Sequence, residues 1–465
     1  MFLDLENIEG SRIALKDDSG TVVTYGDLVR YCKDLADKQL PRAIAFCMCQ
    51  NTAGCMSAII GCESTGVVPL LLSSHIDREL LNELEDTYTP AYYIVSEEQR
   101  QGFPGEVLFE RYGWSFVRTK NPPYKLHENL SLLMTTSGST GSPKLVRYKY
   151  GNLEANARNV AKVFSWRESE IGMCDLPIQY TMGLNVLNSH LAVGAEAYLT
   201  MHNLMSPEFW DAMKQEKCTD FCGVPFSYEV FFKLRFNHME LPELYTLAEG
   251  GGRLTDERFR ALAAYAEEKG KRFCATFGTT ETSARMAFLP PELAKWKTGS
   301  IGRAIPGGEL FLLDDEGSEI SVMEAEGELG YRGPNVTMGY GLCREDLQKG
   351  DEWHGEYHTG DIAKRDADGC YYIIGRRNRF LKLFGLRVSL DRCELFIKSA
   401  FDTDCACAGT DDRMDVYITN AAIKDEIVPY ISGKTNLQRS AFRVIVIDAI
   451  PKNDSGKVKY SELKA

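Results

Sequence analysis

No apolar run in the 465-residue chain approaches the ~18 residues needed to cross a membrane. The opening Met1-Phe2-Leu3-Asp4-Leu5-Glu6 is acidic and lacks the basic stretch and apolar core of a secretory signal. These absences predict a cytoplasmic protein without a membrane span. Positive charge is also in deficit, with 53 Lys and Arg against 66 Asp and Glu, a net charge of −13. A nucleic-acid or anionic-membrane surface would need a basic face, so both are disfavoured, and an anionic ligand must be held by local cations. Low-complexity segments and internal repeats are missing too. With 44% hydrophobic and 26% charged residues, the chain falls among ordinary globular proteins, which excludes fibrous and disordered readings. At about 150 residues per domain, the length suggests about three units.

Cysteine, by contrast, is present fourteen times. In a reducing compartment these thiols stay free. Pairs such as Cys47 with Cys49 and Cys405 with Cys407 lie two apart, a spacing that puts both on one face of a strand and differs from a zinc knuckle. Buried structural cysteine is the expectation.

From Ile44 to about Leu199, short apolar runs alternate with helix-like stretches. Residues 43–46 and 91–95 read as strands and residues 152–164 as a helix, the rhythm of βαβ units with parallel sheets. After Gly299 the texture becomes glycine-punctuated alternation, which predicts short antiparallel strands in a barrel-like subdomain. A turn, an apolar strand and an abrupt polar cluster across residues 366–378 mark a boundary at Asn378. Residues 379–465 carry 14 Lys and Arg against 12 Asp and Glu, so the tail is +2 and residues 1–378 are −15. The expected organisation is α/β. A large N-terminal domain, 1–378, has βαβ-type subdomains plus a distorted β-barrel, and a small α+β C-terminal domain spans 379–465.

The densest chemical signal is Thr136-Ser137-Gly138-Ser139-Thr140-Gly141-Ser142-Pro143-Lys144, preceded by the apolar Leu132-Leu133-Met134. Backbone N–H groups and hydroxyls in such a loop can wrap phosphate oxygens, with Lys144 as counter-charge. It is not a Walker loop, because Lys144 follows a proline and precedes Leu145, which disfavours a P-loop kinase or motor.

This segment resembles the Ser/Thr-Gly-rich signature of the acyl-adenylate-forming (AMP-binding) superfamily, which includes acyl- and aryl-CoA synthetases, peptide-synthetase adenylation domains and luciferase. Further motifs follow in that family's order. Residues 277–281 resemble its aromatic-Gly-x-Thr-Glu motif and residues 327–340 its long glycine motif. Thr359-Gly360-Asp361, Gly375-Arg376, the segment from Lys382 to Arg387, and the segment from Pro451 to Lys457 complete the set.

The resemblance implies ATP-dependent activation of a carboxylic acid to acyl-AMP with release of pyrophosphate, followed by transfer to the thiol of CoA. By the same resemblance Thr136 to Lys144 holds the departing phosphates. Glu281 is implied as the magnesium ligand, Thr280 as a contact to the α-phosphate beside Gly278 and Thr279, and Phe277 as the aromatic next to adenine. Gly251 and Gly252 offer backbone that can approach a flat base. Asp361 is implied as the ribose carboxylate and Arg376 as its partner. Lys457 would bridge the attacking carboxylate and the α-phosphate, where an ammonium can neutralise both anions. The small domain would rotate about Asn378, where family members usually carry Asp or Lys. It would then present Lys382, Gly385 and Arg387 to the incoming thiol.

Substrate choice is less legible. Amino-acid-activating relatives place an Asp in the segment matching residues 177–183, whereas here Tyr180 and Thr181 stand there. A buried ammonium without a counter-charge is costly, so α-amino acids are disfavoured, and the Pro-x-x-aromatic-x-x-Gly spacing of this segment resembles that of fatty or aryl acid ligases. The expected acid pocket gathers Tyr180, Gly183, Val224 and Ala275. Two alternatives to a CoA ligase stay open: an acyl-AMP ligase that loads the phosphopantetheine of an acyl carrier protein, and a non-catalytic nucleotide-binding protein.

Overall fold

A computed structural model describes residues 1–135, 144–377, 379–384, 386–410, 413–435, 437–452 and 458–463. Two large, mainly parallel sheets dominate it. One runs from the strand pair Ile13–Asp17 and Val22–Thr24 through the parallel strands Glu196–Leu199, Ile171–Cys174, Asp220–Gly223, Thr246–Glu249 and Arg272–Phe277, ending on antiparallel Ala287–Leu289 and Arg303–Ala304. The other has parallel strands Ile44–Cys49, Val68–Ser73, Tyr92–Ser96 and Leu130–Thr135 at its centre, flanked by antiparallel edges. Parallel strands need crossover helices, and covering both faces explains their continuous apolar runs.

Strand Ile44–Cys49 is buried at every residue. Its period of two sends Ala45, Cys47 and Cys49 into one core and Ile44, Phe46 and Met48 into another. Cys47 and Cys49 therefore share a face, as expected. Cys55, from helix Ala53–Thr65, brings its Sγ to 4.0 Å from that of Cys47. The first core joins both sheets through helices Tyr25–Ala36, Ala53–Thr65, Asn152–Phe164 and Thr181–Leu191. Thr24 caps the first of these, its side chain accepting from the Asp27 backbone N–H while the Asp27 carboxylate accepts from that of Thr24. The helix expected at residues 152–164 forms with those bounds.

After Gly299 the glycine-punctuated alternation folds as the antiparallel sheet Glu309–Leu313, Ala325–Arg332, Glu356–Arg365 and Tyr371–Arg376 over its own core. The C-terminal portion builds a further core from hairpin Phe380–Leu383 and Leu386–Ser389, helix Leu390–Ala400, and the sheet Cys405–Thr410, Arg413–Ile418 and Phe442–Val446. Among the described residues no helix is long and apolar enough to cross a membrane.

Candidate active site

The segment expected to face the nucleotide begins where strand Arg272–Phe277 ends. Gly278 is required there by packing, since a Cβ would overlap the carbonyl of Ala284. The chain then makes a short turn over Thr280–Thr282 and leaves through two left-handed residues, Ser283 at φ 56° and Ala284 at φ 102°. Backbone strain of this kind, about 1–3 kcal/mol per residue, persists only where surroundings enforce it. Here the Tyr148 hydroxyl donates to the Thr280 carbonyl at 2.7 Å, and Thr337 donates both its backbone N–H and its hydroxyl to the Glu281 carbonyl at 3.0 Å.

The Glu281 carboxylate is thereby buried, and it accepts from the Tyr340 hydroxyl at 2.6 Å. Tyr340 closes the long glycine motif, and its backbone is fixed by Arg147. That fully buried side chain donates to the carbonyls of Tyr340 (3.0 Å), Met338 (3.1 Å) and Lys349 (2.6 Å) and pairs with Glu352. Gly339, at φ 119°, passes close against the same guanidinium, and a Cβ there would lie 3.0 Å from Arg147 Nη2. Strand Tyr340–Gly341 pairs with Leu145–Lys149, and Lys144 Nζ sits 3.8 Å from the centre of the Tyr340 ring. Three segments far apart in sequence, at 144, 281 and 340, thus form one cluster. Tyr357 extends it, its hydroxyl 3.4 Å from that of Tyr340.

Beyond Tyr357 lies Asp361, on the strand paired in register with Arg376. Asp361 Oδ1 accepts from Arg376 Nε at 3.1 Å, whereas Oδ2 is buried with no partner. Burial pushes its carboxyl above the usual carboxylate range, against the opposing pull of Arg376. A carboxylate with one oxygen held and the other unmatched, beside an exposed guanidinium, suits a ligand bearing hydroxyl donors. Glu281 offers the hard oxygen chemistry of a magnesium ligand, with the Thr279 and Thr280 hydroxyls as near neighbours in the chain.

Among the other sequence-derived candidates, Phe277 is partly buried at the strand end, and Gly251 and Gly252 are exposed after strand Thr246–Glu249. Tyr180 precedes helix Thr181–Leu191, and Gly183 packs its backbone against the carbonyls of Leu176 and Pro177. Val224 meets Gly251, while Ala275 turns into a separate apolar core with Phe273 and Leu289. Thr136, Ser137, Gly138, Ser139, Thr140 and Gly141 lie outside the described residues, as do Asn378, Gly385 and Lys457. Lys382 and Arg387 occupy directly paired positions of the hairpin.

The sequence motifs gave no role to Tyr340, Tyr357 or Arg147. Tyr340 stood inside a recognised motif; the others carry no local signal and enter through long-range contacts.

The model of one protein family, described as AMP-binding enzyme, matches residues 7–341. The chain belongs to that family. The family recognised from the ordered motifs is thereby borne out. A 2-succinylbenzoate–CoA ligase of Bacillus mycoides is 25% identical, the match covering 97% of this chain and 95% of that ligase. The oxalate–CoA ligase of Arabidopsis thaliana is 28% identical over 71% of this chain, a match that spans 66% of that ligase's length. The fold is that of the O-succinylbenzoate CoA synthetase MenE from Bacillus subtilis in complex with AMP, with a TM-score of 0.79 at 21% identity, covering 100% and 98% of the two chains. ATP-bound MatB from Rhodopseudomonas palustris gives 0.79 at 18% identity, covering 99% and 97%.

Proposed function

We propose that this enzyme activates a carboxylic acid with ATP and then passes the acyl group to the thiol of CoA. The observation that carries the reading is Asp361: a buried carboxylate, anchored on one side by Arg376 and unmatched on the other, four residues along its strand from Tyr357, whose hydroxyl meets that of Tyr340 where Glu281 and Lys144 gather. The CoA-ligase names of the relatives support the choice of acceptor.

In the first step a substrate carboxylate oxygen attacks the α-phosphorus, and the bond to the bridging oxygen breaks to release pyrophosphate. Asp361 and Arg376 hold the ribose, Phe277 and the backbone at Gly251 and Gly252 border the base, and Thr280 contacts the α-phosphate. Residues 136–144 restrain the leaving phosphates, with Lys144 at the edge of the cluster. Glu281 would hold magnesium, which neutralises developing charge on the phosphate oxygens. Lys457 would balance the attacking carboxylate and the α-phosphate. In the second step the thiol sulfur attacks the acyl carbon, the acyl–phosphate bond breaks, AMP leaves, and the thiol proton passes to solvent.

The division into domains 1–378 and 379–465 belongs to this reading. Arg377 pairs with Glu328 of the large body at 2.7 Å, whereas Arg379 pairs with Glu394 of the small one at 2.6 Å. The side chains flanking position 378 thus commit to opposite bodies, which supports a hinge at Asn378. A cytoplasmic location is supported by fourteen free cysteines, all but Cys343 buried.

The test is pyrophosphate exchange into ATP over fatty, aryl and amino acids, followed by a thioester assay with CoA. Exchange and CoA transfer with a shared acid are expected. Exchange with no acid overturns the catalytic reading, and exchange without CoA transfer moves the acceptor to a carrier-protein phosphopantetheine.

A further inference from the structure

The face that Cys47 and Cys49 share on strand Ile44–Cys49 is met by Cys55, which stands in the first turn of helix Ala53–Thr65. Cys47 Sγ lies 3.8 Å from Cys49 Sγ and 4.0 Å from Cys55 Sγ, and the three sulfurs all fall within 4.8 Å of one another. All three thiols are buried and free. Among the described residues no other three His, Cys, Asp or Glu side chains converge in this way, and no fourth joins these. The adenylation chemistry makes no use of them.

The arrangement is held from outside the trio. Asp17 Oδ2 accepts from the Ala53 backbone N–H at 2.8 Å, and the Thr52 hydroxyl accepts from the Cys55 backbone N–H at 3.2 Å and from Trp114 Nε1 at 3.0 Å. Gly54 lets the helix seat closely, since a Cβ there would overlap the Tyr112 carbonyl and the Trp114 ring. Strand and helix are thus fixed relative to each other, and the sulfurs converge without a change of fold. The positive end of the helix dipole faces Cys55 and favours its thiolate. Around the trio, Tyr31, Ile94, Trp114 and Phe116 belong to the same apolar core and keep water away.

We infer that Cys47, Cys49 and Cys55 form a three-coordinate site for one soft cation, Cu(I). A point at the centre of a triangle with these edges lies about 2.2–2.5 Å from each sulfur, the length of a metal–thiolate bond. Such bonds are shorter than van der Waals contacts, so the ion fits between sulfurs that already touch. Thiolates select soft ions over magnesium or calcium. Structural zinc takes four ligands, and a fourth is missing among the described residues, whereas Cu(I) is satisfied by three. The thiol protons displaced on binding pass to solvent.

The experiment uses the full chain, reduced and anaerobic, with Cu(I) supplied as its acetonitrile complex either to the folded protein or during refolding. Bathocuproine disulfonate, a Cu(I) chelator, then competes for the metal. One copper should be retained per chain, and X-ray absorption should show three sulfur neighbours at roughly 2.3 Å. Cys47→Ala and Cys55→Ser should each lower the affinity by at least about 100-fold, more than loss of an outer partner costs. Cys343→Ser, which alters the one cysteine that is not buried, should leave both readouts unchanged. The wild-type sulfur count decides where a variant fails to fold. No copper retained by either route, a shell of two or four sulfurs, displacement of Cu(I) by equimolar Zn(II), or retention unchanged in both Cys47→Ala and Cys55→Ser overturns the inference. These readouts need neither ATP nor a carboxylic acid, so their failure leaves the adenylation reading intact.

Discussion

At the scale of single residues, Asp361 shows how a buried polar atom reports function. Protein interiors match their polar groups, so an unmatched carboxylate oxygen beside a paired one is a place kept for a donor. In the proposed function, replacing Asp361 with Asn removes the charge that strengthens ribose hydrogen bonds. The KM for ATP should rise about 10- to 100-fold with a smaller change in kcat, read from exchange kinetics at saturating acid. Burial raises this carboxyl, and ribose binding needs it ionised, so ATP affinity should also fall with acidification sooner than for an exposed Asp. Asp361 and Arg376 were legible in the sequence through their motifs, and their register on paired strands explains why the motifs travel together. Arg147 was not legible, since nothing adjacent to it distinguishes a buried arginine from a surface one.

Among the elements, helix Ala53–Thr65 is buried from Ala53 through Glu63, because both large sheets pack around it. An ordinary surface helix keeps one polar face, and this one does not. Glu63 near its end has both carboxylate oxygens buried without a partner, and burial pushes its pKa to about 8. The folded state therefore holds a proton that the unfolded chain releases near pH 4.5. Stability should decline as pH rises from about 4.5 to about 8 and then level off on this account. Glu63→Gln lacks the penalty, so its gain in Tm over the wild type should be larger at pH 9 than at pH 5.5. Thermal melts at the two values check this, and an equal gain at both would contradict it. The helix at residues 152–164 was readable from its periodicity, whereas the all-round burial of Ala53–Thr65 reflects neighbours that local pattern does not show.

For the whole molecule, the proposed two-step reaction requires the small body to move, since in that proposal Lys457 serves adenylation and a thiol must later reach the acyl group. Lys457→Ala should lower adenylation by about 100-fold or more, as expected for loss of a group stabilising transition-state charge. Thioester formation from preformed acyl-adenylate should survive. Equal loss in the two half-reactions, measured separately, would contradict a domain alternation. In the proposed hinge, the ion pairs of Arg377 with Glu328 and of Arg379 with Glu394 would anchor the two sides of the joint.

The sequence alone determined the family and the α/β layering, because each depends on short-range spacing that survives in a linear string. Tertiary structure decided how those motifs meet. Arg147 holds Tyr340 against Glu281 and under Lys144, and a helix is sealed between two sheets. The physical reason is that burial and charge pairing depend on every neighbour at once, and those neighbours lie far along the chain, 193 residues from Arg147 to Tyr340 and 59 from Tyr340 to Glu281.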